Sequence, residues 1–366
     1  MEKNRRSKPK NFPERMVDIL NVGALNLAMA VGYRTRLFDV MDAFDLPQRA
    51  ASIAERAGLN ERYVREWLGI MVSGGIVEWS EDSTGEDLFH LPKEHGSVLT
   101  RRAGNANLGI YTQEIPLLTA LAMEPVIRGF TTGEGVGYDR YTEFYAFMAQ
   151  LSRAKHQEVL VEKFLPSVAE GRVIQQMGSG IRVCDLGCAE GTAVMLMAEA
   201  FPESQFVGID FSGDAIAGAR REAARKKLPN VVFEKLDAAL LKERGDLLES
   251  FDYVTAFDAI HDQTRPLDAL ISVHAVLKVG GLFSMVDIAA GSRLSENRDH
   301  PMGPFLYTVS LMHCMPVGLV DGGAGLGMMW GRQKAVEMLK QAGFGTVQVL
   351  GMPDDPFNQH FLCEKK

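Results

Sequence analysis

Apolar and polar positions along the chain follow two different periods, and the change falls near residue 170. Before it the spacing is helical. Residues 12–29 read as an amphipathic helix with a small-residue part (Ala24, Leu25, Leu27, Ala28, Ala30, Val31), and Leu37, Phe38, Val40 and Met41 supply the next apolar face. Residues 52–57, a turn at 58–60 and residues 61–73 give helix, turn, helix, with Asn60 placed to cap the second helix and Gly74 and Gly75 to stop it. Residues 76–79 and 88–91 flank the polar, Gly-containing run 81–86, which is the pattern of a two-stranded wing. The pattern therefore predicts a helical and winged-helix domain over 1–100, followed by a helical linker over 101–170 that is broken by the Gly-rich run 128–137.

From residue 180 onward short β-rich runs alternate with helices. The strands are expected at 182–186, 205–210, 231–235, 251–257, 282–287, 347–350 and 360–363, and the helices at 192–200, 214–226, 266–277 and 332–342. Such alternation predicts an α/β domain over 171–366, a mostly parallel sheet covered by helices on both faces. Sheets of this kind bind ligands outside the carboxyl ends of the strands where the strand order reverses, so the site is expected just after residues 186, 210, 235 and 257. Residues 289–330 interrupt the alternation with a Gly- and Met-rich stretch that bears His300, Tyr307 and His313. An insertion this long reads as a functional lid or as partly helical.

Composition narrows the class of partner. The chain is 46% apolar and 23% charged, which predicts compact folding rather than disorder. Its 39 basic and 47 acidic residues leave a net charge of -8, against a general binder of nucleic acid or anionic membrane. The second helix of the helix-turn-helix pairs Arg62 and Arg65 with Glu61 and Glu66, and residues 1–100 carry 13 basic against 15 acidic groups. Domain packing or dimerisation is therefore expected of the winged helix in preference to DNA binding. The small-residue helix has more apolar surface than one such domain needs, which predicts a homodimer. The basic residues before Phe12 read as a solvated, mobile end. Cys184, Cys188, Cys314 and Cys363 form no CxxC pair and no Cys/His set with zinc spacing, so no metal and no disulfide framework is expected, and a reducing cytoplasm fits. No run reaches the roughly 20 apolar residues of a membrane span. The nearest, 306–320, is interrupted by His313, and no secretion signal is read at the N-terminus.

The first predicted strand of the α/β domain runs into Asp-Leu-Gly-Cys-Ala-Glu-Gly at 185–191. A dinucleotide fingerprint wants Gly at the first, third and sixth positions, and counted from Gly187 these are Gly, Ala189 and Thr192. Glu190, near the helix N-terminus, also repels a diphosphate and suits a ligand with an ammonium or sulfonium centre. Asp210 ends the second strand, where a carboxylate can accept from both hydroxyls of a ribose. Asp237 ends the third, where an acceptor can take the exocyclic amino group of adenine, with Phe211 and Ala238 as apolar walls. Each Asp alone also reads as a cap or turn residue. Three of them in register with Gly187 and Gly191 point to a nucleoside.

On these residues the chain from about 170 to 366 resembles the class I S-adenosylmethionine-dependent methyltransferases. The resemblance implies a Rossmann-like seven-stranded sheet whose last strand is antiparallel, which the 343–366 end fits, and the Leu-Lys-Val-Gly-Gly-Leu segment at 277–282 looks like the family's recurrent turn. It further implies that Asp185 with Gly187, Cys188, Ala189 and Gly191 holds the methionine portion, Asp210 the ribose, and Asp237 with Ala238 the adenine, with Phe211 and Phe257 as neighbouring walls. Ala189 departs from the Gly of many members, which narrows the loop slightly.

A narrower resemblance is to small-molecule O-methyltransferases that place a winged-helix dimerisation domain before the catalytic one. Phe144, Met148 and Ser152 match that group's spacing and share one helical face, which implies an acceptor-pocket wall; Tyr138 and Tyr141 would close over it, and His313 would join the substrate contacts. Ile-His-Asp-Gln at 260–263 stands where the group carries its base as the His of a His-Asp-Trp segment, which implies His261 as base and Asp262 as its orienting neighbour, with Asp287 a further pocket candidate. Gln263 replaces the Trp, so the acceptor stays open. Alternatively, His261 hydrogen-bonds a backbone group beside the cofactor. An unperturbed His titrates near about 6.5 and is largely free to take a proton at neutral pH.

The expected function is methyl transfer from S-adenosylmethionine to a small-molecule oxygen, nitrogen or sulfur by in-line displacement, leaving S-adenosylhomocysteine. Two alternatives stay beside it: a winged-helix regulator that senses S-adenosylmethionine, and a methyltransferase acting on protein or RNA.

Overall fold

A computed structural model describes residues 11–366, so the basic residues Lys3, Arg5, Arg6, Lys8 and Lys10 lie outside the described residues. The chain forms two compact units, one up to Leu117 and one from Leu118 to Lys366.

The first unit opens with a helix, Phe12–Arg34. Asn11 starts it through a capping box, its side chain accepting from the Glu14 amide at 3.0 Å while the Glu14 carboxylate accepts from the Asn11 amide at 3.1 Å. Ala28, Ala30 and Tyr33 face the core, where the indole N–H of Trp67 donates to the Ala28 carbonyl at 2.9 Å. The rest of the helix is not amphipathic as expected. Phe12, Met16, Ile19, Leu20, Leu27 and Val31 are all exposed, and with Gly23 they make one stripe at spacings of three and four. The expectation that no segment is long and apolar enough to span a membrane is also corrected, since this helix reaches a mean hydropathy of 1.4 over 18 residues. Asp18, Asn21, Gly23 and Asn26 break the strictly apolar run, yet the Val, Ile, Leu, Met and Ala residues between them keep the average high.

Helices Ala50–Ala57 and Glu61–Ser73 follow, turned by the left-handed Gly58 and capped by Asn60, whose side chain accepts from the Arg62 amide at 3.0 Å. Strands β1 (Glu78–Glu81) and β2 (Asp87–His90) pair antiparallel. Asp82 ties their turn by accepting from the amides of Thr84 and Glu86 and from the Thr84 hydroxyl. Arg62 and Arg65 form i, i+4 ion pairs with Glu66 and Glu61 at 2.5 and 2.7 Å, so the charge matching read from the sequence is realised on the helix surface.

The second unit carries the sheet. Its strands are β3 (Arg182–Leu186), β4 (Gln205–Asp210), β5 (Val231–Lys235), β6 (Phe251–Phe257), β7 (Leu277–Ile288), β8 (Val347–Met352) and β9 (Asp355–Glu364), in the order β5-β4-β3-β6-β7-β9-β8. All pairs are parallel except those of β9, which is antiparallel to both neighbours. The central strands are near-continuous apolar runs because both faces are covered. One face carries Leu270, Val273 and Leu339 among its core residues, the other Val194, Met197 and Phe164.

Strand β7 starts earlier than the sequence pattern suggests. Leu277 already pairs with Phe251 and Leu282 with Tyr253, so the Lys-Val-Gly-Gly stretch expected as a turn survives as an irregularity inside the strand, with Gly280 at φ +80°. The insertion contains short helices Leu294–Asn297, Gly303–Val309 and Met315–Gly318 and a π-helical turn at Ser310–Cys314. Leu306 and Met329 centre a small core of its own, against which Met302 and Met328 pack, which gives those methionines the packing role.

Candidate active site

Strand order reverses about β3, which has β4 on one side and β6 on the other, and the loops leaving their carboxyl ends converge there. The turn after β3 is closed against the sheet. Gly187 and Gly191 lie at φ +69° and +75°, and a Cβ would stand 2.5 Å from that of Ala259 at the first and 2.4 Å from the Phe233 ring at the second. Ala189 between them also sits at φ +47°, a left-handed conformation that costs a non-glycine residue roughly 1–2 kcal/mol. The amides of Gly187 and Cys188 both donate to the Ile209 carbonyl, at 2.8 and 3.0 Å, which spends the loop's first donors on β4.

Asp210 joins two loops. One carboxylate oxygen accepts from the Ala189 amide at 2.9 Å and the other from the Ser212 amide at 2.8 Å, which leaves each oxygen a further lone pair. Burial raises this carboxyl above its usual value, against the pull of those amides. Asp185 is enclosed in β3 and accepts from the Thr255 hydroxyl at 2.7 Å; burial, with the Asp210 charge adding, pushes it up to about 7. A buried and a half-buried carboxylate held this way favour a positively charged ligand.

Asp237 is more exposed. It caps the turn Ala238–Glu243 through the Ala239 amide at 2.8 Å and accepts from Arg265 at 2.6 Å, so the capping role is present alongside any other. Ala238 is buried behind it. Phe257 packs its ring on His156 and Phe164 at 4.9 and 5.7 Å. Glu190 is not bare, as its position suggested, because Arg153 stands 3.6 Å away.

Helix Thr142–Val159 presents Phe144, Met148 and Ser152 on one face, the first buried and the others half-buried, and His156 continues that face. Tyr138, just ahead of the helix, stacks on Tyr145 at 4.7 Å and meets Phe211 edge-on at 4.5 Å. Burial, and then the charges of Asp262 and Asp210, push the Tyr138 hydroxyl above its usual value. The His313 ring lies 4.8 Å from both Tyr141 and Phe144, and its Nε2 is 3.4 Å from the Tyr145 hydroxyl. The sequence reading brought Tyr138, Tyr141, Phe144 and His313 to this cluster but missed Tyr145.

His261 follows β6 and is 3% exposed. Its Nδ1 is 2.8 Å from Asp287 at the end of β7, and its Nε2 is 3.4 Å from Asp262. The orienting carboxylate is therefore Asp287, since Asp262 lies beside the opposite nitrogen. The expectation of a freely neutral imidazole at pH 7 changes too. Burial opposes charge on the ring, but Asp287 and then Asp262 outweigh it, and the imidazolium persists well above the usual histidine value. His261, Asp262 and Cys314 also bring potential ligand atoms within 4.8 Å of one another.

Residues 177–343 match a methyltransferase domain family, and residues 23–101 match the Rv2258c-like winged HTH domain. Human N-acetylserotonin methyltransferase, solved in complex with SAM, superposes with a TM-score of 0.65 at 15% identity, covering 98% of this chain and 99% of its own. A putative O-methyltransferase from Nostoc punctiforme gives 0.69 at 16% identity over 98% and 100%. Demethylmenaquinone methyltransferase of Listeria welshimeri is 24% identical over 204 residues, 53% of this chain and 82% of that protein. Trans-aconitate 2-methyltransferase of an Acidovorax strain is 42% identical over 57 residues, 16% of this chain, and the matched part is only 20% of that enzyme's length.

Proposed function

We propose that the chain, in which residues 177–343 match a methyltransferase domain and residues 23–101 a winged HTH domain, methylates a small molecule at an oxygen, nitrogen or sulfur with S-adenosylmethionine as donor, with His261 accepting the proton of a hydroxyl acceptor. The observation that supports this most is the His261–Asp287 pair buried beside the aromatic cluster, at the strand ends where the donor binds.

S-adenosylmethionine supplies a methyl group on a sulfonium and leaves as S-adenosylhomocysteine. The chain's own residues do the rest. Asp185 and the loop at 187–191 receive the cationic amino-acid end, the free lone pairs of Asp210 accept from the ribose hydroxyls, and Asp237, Ala238 and Phe211 border the adenine. Tyr138, Phe144, Tyr145 and His313 exclude water from the acceptor side. Alignment of the reacting atoms at roughly 3 to 3.5 Å supplies much of the acceleration. Asp287 fixes the His261 tautomer and steadies the positive ring after Nε2 has taken the proton. A screen of phenols, amines and small thiols for S-adenosylhomocysteine formation tests the reading; turnover with a phenol supports it, and methyl transfer only to protein or RNA overturns it.

The exposed stripe of helix Phe12–Arg34 is assigned to a second copy of the chain. Its last third already belongs to the domain core through Ala28, Ala30 and Tyr33, which leaves too short a free segment to cross a bilayer. Leu20→Glu with Leu27→Glu is expected to turn a dimer into a monomer in light scattering. An unchanged mass would remove the assignment. The four free cysteines, all buried, support a reducing cytoplasm.

A further inference from the structure

We propose that Nε2 of His261, a carboxylate oxygen of Asp262 and Sγ of Cys314 form a site for a thiophilic divalent cation of the zinc class, with the neighbouring His313 as fourth ligand. The claim rests on the geometry of these side chains and does not depend on which acceptor is methylated.

The three atoms lie within 4.8 Å of one another. Nε2 and the nearer Asp262 oxygen are 3.4 Å apart, close to the separation of about 3.3 Å that two ligands each about 2.0–2.1 Å from a tetrahedral zinc adopt. His261 and Cys314 are almost fully buried. The same Asp262 oxygen is enclosed and accepts no hydrogen bond, a state that buried polar atoms rarely keep without an ion or water to satisfy them.

The surroundings also fit. Nδ1 of His261 is engaged by Asp287 at 2.8 Å, which directs Nε2 toward the cluster. A carboxylate behind the far nitrogen is the usual support of a metal-ligating histidine. The π-helical turn Ser310–Cys314 buries His313 and Cys314 together, and Nδ1 of His313 lies 3.4 Å from Sγ and 4.0 Å from Asp262. A set of imidazole, thiolate and one carboxylate selects zinc-class ions, whereas magnesium and calcium prefer oxygen.

Coordination displaces the Cys314 thiol proton and the Nε2 proton of His261 to solvent. Metal then occupies the nitrogen that would accept a proton from a hydroxyl, so metal loading and base catalysis by His261 exclude each other.

The test is titration of the chelator-treated full chain with Co²⁺ and then Zn²⁺. One equivalent of Co²⁺ should give a near-ultraviolet thiolate-to-cobalt charge-transfer band that Zn²⁺ abolishes. Cys314→Ser should remove the band and weaken Zn²⁺ binding by more than about tenfold while S-adenosylhomocysteine affinity, which reports a folded domain, is retained. Should that variant not fold, Asp262→Asn is expected to weaken Zn²⁺ binding similarly. No stoichiometric uptake by the wild-type chain, or a band that survives Cys314→Ser, overturns the proposal. Binding of S-adenosylhomocysteine to the metal-free chain reports separately on the methyltransferase reading.

Discussion

His261→Ala is expected to lower kcat for a hydroxyl acceptor by roughly 10²–10⁴-fold, the usual contribution of a positioned general base, with S-adenosylhomocysteine affinity unchanged. The split between turnover and binding is diagnostic, because a histidine that merely braced the cofactor would shift affinity instead. The pH profile gives a second handle. Only the neutral ring can take a proton, and Asp287 and Asp262 outweigh burial to hold the charged form well above the ordinary histidine value. The rate should therefore keep rising with pH beyond neutrality. Asp287→Asn removes the larger of those two charges and should move the rise toward lower pH while reducing the maximum, since the ring also loses its support. A flat profile for the wild type between pH 6 and 9 would count against His261 as base.

Asp210→Ala should have the largest effect on the donor. A hydrogen bond to a charged group contributes roughly 1.5–3 kcal/mol, so losing the acceptor for a ribose hydroxyl weakens S-adenosylhomocysteine binding by about 10- to 100-fold per bond. The same change strips the Ala189 and Ser212 amides of their partner, so the loop at 187–191 loosens as well. Calorimetry on the purified chain measures this directly. Burial raises the Asp210 carboxyl, and the ionised form is the better acceptor, so wild-type affinity should fall as pH is lowered through that raised value. Retained affinity in Asp210→Ala would place the ribose elsewhere.

The sheet was legible because its strands are buried on both faces and separated by helices of clear period. Strands β3 to β6 follow the apolar runs directly. Strand β7 was harder, since Gly280 and Gly281 signal a turn, whereas the chain bulges and stays in the ladder. Phe12–Arg34 was misjudged for a different reason: apolar residues lie on every side of it, so periodicity alone does not say which stripe meets the core.

The glycine turn and the strand-end aspartates could be placed from local spacing alone. The partners of His261 could not. Asp287 and Cys314 reach it only because β7 lies beside β6 and the insertion folds back, and sequence separation hides both. Tyr145 was missed because an aromatic residue next to Phe144 is expected to point away from the same face, yet both meet the His313 ring. Asp258, half-buried at φ +49° and bound by the Asn358 side-chain amide, gave no signal beyond following a strand.

Tyr138 carries a kinetic consequence. Its ring meets Phe211 edge-on and stacks on Tyr145, and the charges of Asp262 and Asp210 both act on its hydroxyl. An acceptor that reacts beside Phe211 would have to displace that ring, and the pace of its return would then set throughput even when bond-making is fast.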